Sequence, residues 1–122
     1  MAKILLIDDR PEVLELIKAV LESTGITVDT LQATRANLGT PELLDQLIAH
    51  IQQNKYDLVI TDNNFGTAIT GLQVAERLIQ GGIPTIFITA DVRIPKFRED
   101  VKKIGLNPDE DLISKPFDPS LL

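Results

Sequence analysis

The chain has 122 residues, 43% of them hydrophobic and 25% charged, a balance that excludes a disordered segment and suits one domain with one buried core. A net charge of −6 without a Lys/Arg cluster argues against a nucleic-acid surface, and no apolar run approaches the roughly 18 residues of a membrane span. The lack of cysteine excludes disulfides and thiolate metal sites, which fits a cytoplasmic setting.

The opening MAKILLIDD has too short an apolar stretch before its two acids to be a signal peptide. Lys3-Ile4-Leu5-Leu6-Ile7 reads instead as a strand buried on both faces. Arg10-Pro11-Glu12 opens a helix whose apolar stripe is Val13, Leu14, Ile17, Val20 and Leu21, and Thr24-Gly25 closes it. Residues 26–31 read as a second strand and 32–39 as a polar loop. Thr40-Pro41 starts the next helix, with Leu43, Leu44, Leu47, Ile48 and Ile51 as its apolar face. His50 falls on the flank of this helix with no acid or base motif around it and reads as a surface residue.

Asp57 to Thr61 is expected as a third strand, 71–80 as a helix broken by Gly81-Gly82, and 84–89 as a fourth strand. Ile94, Phe97, Val101 and Ile104 mark a further helix that Gly105 ends, and Leu112-Ile113-Ser114 is a short fifth strand. Strand and helix alternate throughout, with no internal repeat or linker. That pattern calls for one domain over 1–122, an α/β fold with a doubly wound parallel sheet between helices, joined by right-handed crossovers.

Ligands of such sheets bind beyond the carboxyl ends of the strands. Here those ends carry Asp8-Asp9, Asp62, Thr89-Ala90 and Ser114-Lys115-Pro116. Singly, each has an ordinary explanation: aspartates cap turns, threonine ends strands, and a lysine before proline is usually a solvated loop residue. Together they bring three carboxylates to one edge. Crowded acids repel and need a cation, and a hard divalent ion such as magnesium takes a few carboxylates plus water and phosphate oxygens. A carboxylate there can attack phosphorus and form an aspartyl phosphate, while an ammonium and a hydroxyl stabilise the transferring group. Ala90 is small enough to leave that group room.

KILLIDD, LVITD, FITA and ISKPF, in this order on four strands, are similar to the motifs of the receiver domain of two-component response regulators, as in the chemotaxis regulators. The resemblance covers nearly the whole chain and implies a flavodoxin-like, three-layer five-stranded sheet in the order 2-1-3-4-5. It implies that Asp62 accepts phosphate from a histidine kinase, a phosphotransfer protein or a small phosphodonor. Asp9 and Asp8 would hold Mg2+ together with Asp62 and the backbone carbonyl of Asn64. Thr89 would bind the phosphoryl group, Lys115 would pair with its oxygens, and Lys115-Pro116 would be a cis peptide. The side chains of Asn64 and Asp91 take the positions that tune phosphoryl loss. The output would be a changed contact with a downstream partner or output domain, at the helix around 94–104 and the fifth strand, and not metabolic catalysis.

The chain departs from the family at four places. Phe65-Gly66 replaces the usual methionine-proline, with one extra residue before Gly71. Leu112 occupies the place of the switch aromatic. The interval from Asp9 to Asp62 is longer than usual, with the excess expected in residues 32–40 or the helix after them. Finally, Asp118-Pro119-Ser120 opens a last helix of which Leu121 and Leu122 would be the first apolar contacts, and there the sequence ends. A truncated final helix would expose one sheet face, for which a homodimer is the expected cover. Two alternative readings stand beside this one. The first is a receiver-fold binding or dimerisation module that no longer switches by phosphorylation. The second is a phosphatase of the haloacid dehalogenase type, against which stand the adjacent acids on the first strand and the lack of a cap domain.

Overall fold

In the computed structural model, which describes residues 2–115, the apolar run Lys3–Asp8 forms strand β1. Helix α1 (Pro11–Glu22) follows, with Pro11 in its first turn, where no backbone N–H is required. β2 spans Thr27–Gln32, and helix α3 (Pro41–Asn54) is capped by the Thr40 hydroxyl, which accepts from the N–H of Leu43. Then come β3 (Leu58–Thr61), α4 (Gly71–Gln80), β4 (Thr85–Thr89), α5 (Pro95–Lys103) and β5 (Leu112–Ser114). Gly25 and Gly105 follow α1 and α5 at φ of 91° and 97°, where a β-carbon is unfavourable.

Between β2 and α3 the structure corrects the expectation of a plain polar loop. Arg35–Leu38 forms a one-turn helix, α2, whose entry is held by the Thr34 N–H donating to Asn37 Oδ1 at 2.8 Å. The reason is Leu38, which is fully buried against α3 and β1 and draws the polar segment onto the core.

All five strands are parallel, in the order β2-β1-β3-β4-β5. Alternate β1 residues face opposite layers. Leu5 and Ile7 pack with Val59 against α3, α4, Phe65 and Ile69. Ile4 and Leu6 pack with Val28, Ile60 and Ile88 under Leu14, Ile17 and Leu21 of α1. A third cluster joins Phe87 to Phe97 and Val101 of α5, with the two rings edge to face at 5.2 Å. Leu112 packs half-buried against this cluster. On the α1 face, α1 is the only helix among the described residues, and Ile86 and Ile113 stay half-buried there. The expected last helix, opening at Asp118 with Leu121 and Leu122 as its first apolar contacts, lies outside the described residues, as do Pro116 and Phe117. Among the described residues no helix is long and apolar enough to cross a membrane.

The far end of the sheet holds a polar lock. The Tyr56 hydroxyl donates to Asp29 Oδ2 at 2.6 Å, and Lys3 Nζ lies 4.9 Å above the Tyr56 ring. Burial, the hydrogen bond to Asp29 and its negative charge push the Tyr56 phenol up to about 12. The folded state therefore favours the protonated phenol. Its contribution is complete below the unfolded value of 10.0 and is lost as pH rises through about 12. We expect the unfolding free energy to fall by about 2 kcal/mol over that interval and Tyr56→Phe to remove this part of the decline. Tyr56 is the only tyrosine and there is no tryptophan, so phenolate absorbance reports this group alone. Native-state titration at the ordinary value of 10.0 would refute the assignment.

Candidate functional site

Parallel register brings the ends of β1, β3, β4 and β5 to one edge. Asp8 closes β1, Asp62 directly follows β3, Thr89 closes β4, and Lys115 follows β5. Asp8 and Asp62 are buried, at 4% and 8% exposure, and Thr89 is at 1%. Lys115 Nζ reaches into the group, 2.7 Å from Asp8 Oδ2 and 3.0 Å from Asp62 Oδ2. Its backbone N–H donates to the Thr89 carbonyl at 3.0 Å, so the β4–β5 pairing itself aims this lysine.

The remaining carboxylate oxygens are also held. Asp8 Oδ1 accepts from the Arg10 N–H at 3.0 Å, and Asp62 Oδ1 from the Asn63 N–H at 2.7 Å. Asp9 is less enclosed. Burial raises its carboxyl above the ordinary value, the hydrogen bond and charge of Asp8 add to this, and the charge of Asp62 adds further. Burial pulls the Lys115 ammonium down, but its bonds to Asp8 and Asp62 and their charges outweigh this and leave it above the usual lysine value. One ammonium thus serves two carboxylates while a third is disfavoured as an anion.

Asp8, Asp9 and Asp62 each offer an oxygen, and these lie within 4.8 Å of one another. Three hard oxygen donors crowded within reach of one another suit a small divalent cation, which would relieve the repulsion on Asp9. The donor set fits magnesium.

Above the acids opens a cleft of about 750 Å³, lined among others by Asp9, Asp62, Thr89, Ala90 and Lys115. Asn64 and Asp91 also line it. Asn64 is exposed, and its side-chain oxygen accepts from the Gly66 N–H at 3.2 Å. The altered loop after Asp62 is anchored by Phe65 and Ile69, both buried in the α3–α4 cluster. His50 is exposed on α3, outside this cleft, and Leu112 does not line it either.

Three features of the site escape the sequence reading. Arg10, Val13 and Leu16 on the α1 side line the cleft, with Leu16 55% exposed. Asn63 joins the end of β3 to both α4 and Asp91. The signal available was its chemistry: a side chain with donors and an acceptor directly after the last strand residue and acid. Gly71 packs against the Asp62 backbone, because a β-carbon there would lie 1.7 Å from the Asp62 carbonyl oxygen.

The response regulator receiver domain matches over residues 4–122, and the chain belongs to this family. It is 35% identical over 109 residues to the transcriptional regulatory protein ComA of Bacillus subtilis (strain 168), covering 88% of this chain and 47% of that protein. It is 34% identical over 118 residues to the response regulator GtcR of Aneurinibacillus migulanus, covering 95% of this chain and 42% of that one. The chain thus spans less than half the length of these curated relatives. Chemotaxis protein CheY4 of Vibrio cholerae superposes with a TM-score of 0.76 at 22% identity, over 98% of this chain and 91% of that structure. A response regulator receiver protein from Burkholderia phymatum gives 0.73 at 30% identity, over 99% and 88%.

The sheet order and the family agree with the flavodoxin-like expectation. The chain is a receiver domain of two-component signalling, and such domains are in general signalling modules rather than enzymes. Receiver domains bind magnesium at an acidic pocket and interact with histidine kinases or phosphotransfer proteins and with output domains. Family membership sets aside the haloacid dehalogenase reading.

Proposed function

We propose that Asp62 accepts a phosphoryl group and that this covalent change switches the protein's contacts. The observation that carries the reading is Lys115 Nζ shared between Asp62 and Asp8, at 3.0 and 2.7 Å, in the floor of an open cleft beside Thr89. A carboxylate oxygen of Asp62 attacks phosphorus, the bond from phosphorus to the donor's nitrogen or oxygen breaks, and an acyl phosphate forms. Lys115 turns from the carboxylates toward the phosphoryl oxygens, and the Thr89 hydroxyl donates to one of them. Asp8, Asp9, Asp62 and the Asn64 carbonyl would hold a magnesium ion, whose charge would offset that of the transferring group. Asn64 and Asp91 at the mouth orient water and set how long the phosphate survives.

The donor is a histidine kinase, a phosphotransfer protein or a small acyl phosphate. The added charge biases the surface formed by α5 and β5.

Incubation with acetyl phosphate and magnesium is expected to add the mass of one phosphoryl group. Borohydride reduction of the adduct is expected to yield homoserine at position 62. Homoserine at another position, or a folded chain that takes up nothing, would overturn the proposal.

A further inference from the structure

Asn63 is bound in four directions. Its N–H donates to Asp62 Oδ1 at 2.7 Å, and its carbonyl accepts from the Gly71 N–H at 2.8 Å. Its Oδ1 accepts from the Leu72 N–H at 3.2 Å, and its Nδ2 donates to Asp91 Oδ2 at 3.1 Å. Asp91 in turn donates its N–H to Thr89 Oγ1 at 3.2 Å and accepts from the Ile94 N–H at 3.0 Å. A continuous chain of bonds therefore runs from Asp62 through Asn63 and Asp91 to Thr89, across the mouth of β3 and β4. An apolar residue at 63 could follow the strand equally well, but it could neither donate to Asp91 nor accept from α4, as the Asn63 amide does at once.

The Asn63–Asp91 bond ends on a carboxylate and is half-buried at both partners, which makes it stronger than a neutral surface contact. It fixes the segment after β4, and the N–H of Asp91 then selects one of the staggered positions of the Thr89 hydroxyl. We propose that Asn63 is a positioning residue for phosphoryl transfer, holding the Thr89 hydroxyl in register with Asp62 by way of Asp91. The inference rests on the reading of Asp62 as phosphoacceptor. Because the bridge acts by placing the Thr89 hydroxyl, its effect is expected mainly on the rate of transfer, with donor saturation changed little.

The test compares the unmodified chain with Asn63→Ala, Asp91→Ala, Asp91→Asn and the double alanine variant, with acetyl phosphate and magnesium. Each single alanine variant is expected to lower the maximal rate of phosphoryl incorporation about tenfold with little change in half-saturating acetyl phosphate. Asp91→Asn keeps an oxygen that accepts from Asn63 and is expected to restore most of the rate. The double variant is expected to be no slower than the slower single one, since both cut one bridge. Asp91→Ala leaves the bonds from Asn63 to Gly71 and Leu72 in place, so it tests the bridge with α4 still anchored. Multiplying losses in the double variant, or Asp91→Asn as slow as Asp91→Ala, would overturn the positioning role. No incorporation in the unmodified chain would overturn this inference and its parent together. Variants that match a phosphorylated unmodified chain would overturn the positioning role alone.

Discussion

Asp62→Asn is expected to abolish phosphoryl incorporation while leaving the fold nearly unchanged. An amide is not a nucleophile toward phosphorus, so incorporation is expected to be lost with the Asp62 carboxylate. The stability terms oppose each other. Asparagine keeps an oxygen to accept from the Asn63 N–H, which Asp62 Oδ1 now does at 2.7 Å. It loses the ion pair from Asp62 Oδ2 to Lys115 at 3.0 Å, but Lys115 retains Asp8, and one of three mutually repelling acids is gone. The balance is expected within about 1 kcal/mol of zero. Intact-mass analysis after exposure to acetyl phosphate, with a thermal melt of the same sample, checks both halves. Full incorporation in the asparagine variant would remove Asp62 from the role of acceptor.

Gly71→Ala is the substitution with the largest expected cost to the fold. In an open helix the exchange would gain up to about 1 kcal/mol of helix propensity. Here the added β-carbon would sit 1.7 Å from the Asp62 carbonyl oxygen and 2.7 Å from the Asn63 Cα. Both obstacles are backbone, so no rotamer change relieves them. The first turn of α4 must retreat, stretching the Gly71 N–H bond to the Asn63 carbonyl and loosening Val74 and Leu78, both fully buried. The clash outweighs the propensity gain, for a net loss of about 3 kcal/mol and a melting temperature lower by about 10 °C. Phosphorylation is expected to slow as well, because the helix that retreats is bonded to Asn63, next to the acceptor. A variant as stable as the parent would show that α4 can move away without cost.

The strands and long helices were legible because each carries its own periodicity: Lys3–Asp8 and Thr85–Thr89 as apolar runs, α1 as a stripe between a proline start and the Thr24-Gly25 stop, and α3 as a stripe after a proline start. Their bounds shift by a residue or so, as at β2, which starts at Thr27. The turn α2 was hidden because one buried leucine, Leu38, creates it, and a single apolar residue in a polar stretch has no period. Phe65 and Ile69 escaped for the same reason. Without periodicity, nothing local says that this loop is pinned to the α3–α4 core.

At the site, the identity of the acids, the threonine and the lysine could be read from the sequence, because the end of a parallel strand is a predictable location. Alone, the sequence determined the alternating α/β architecture and the set of residues carried to the carboxyl edge. Tertiary structure decided what those residues do to one another. It gave Lys115 to Asp8 and Asp62 at once, raised the Asp9 carboxyl through burial and its neighbour Asp8, and used Asn63 to connect Asp62 to Asp91. It also made Gly71 obligatory. Strand order and register set these contacts between residues far apart in the chain, and no local pattern encodes a distance across a sheet.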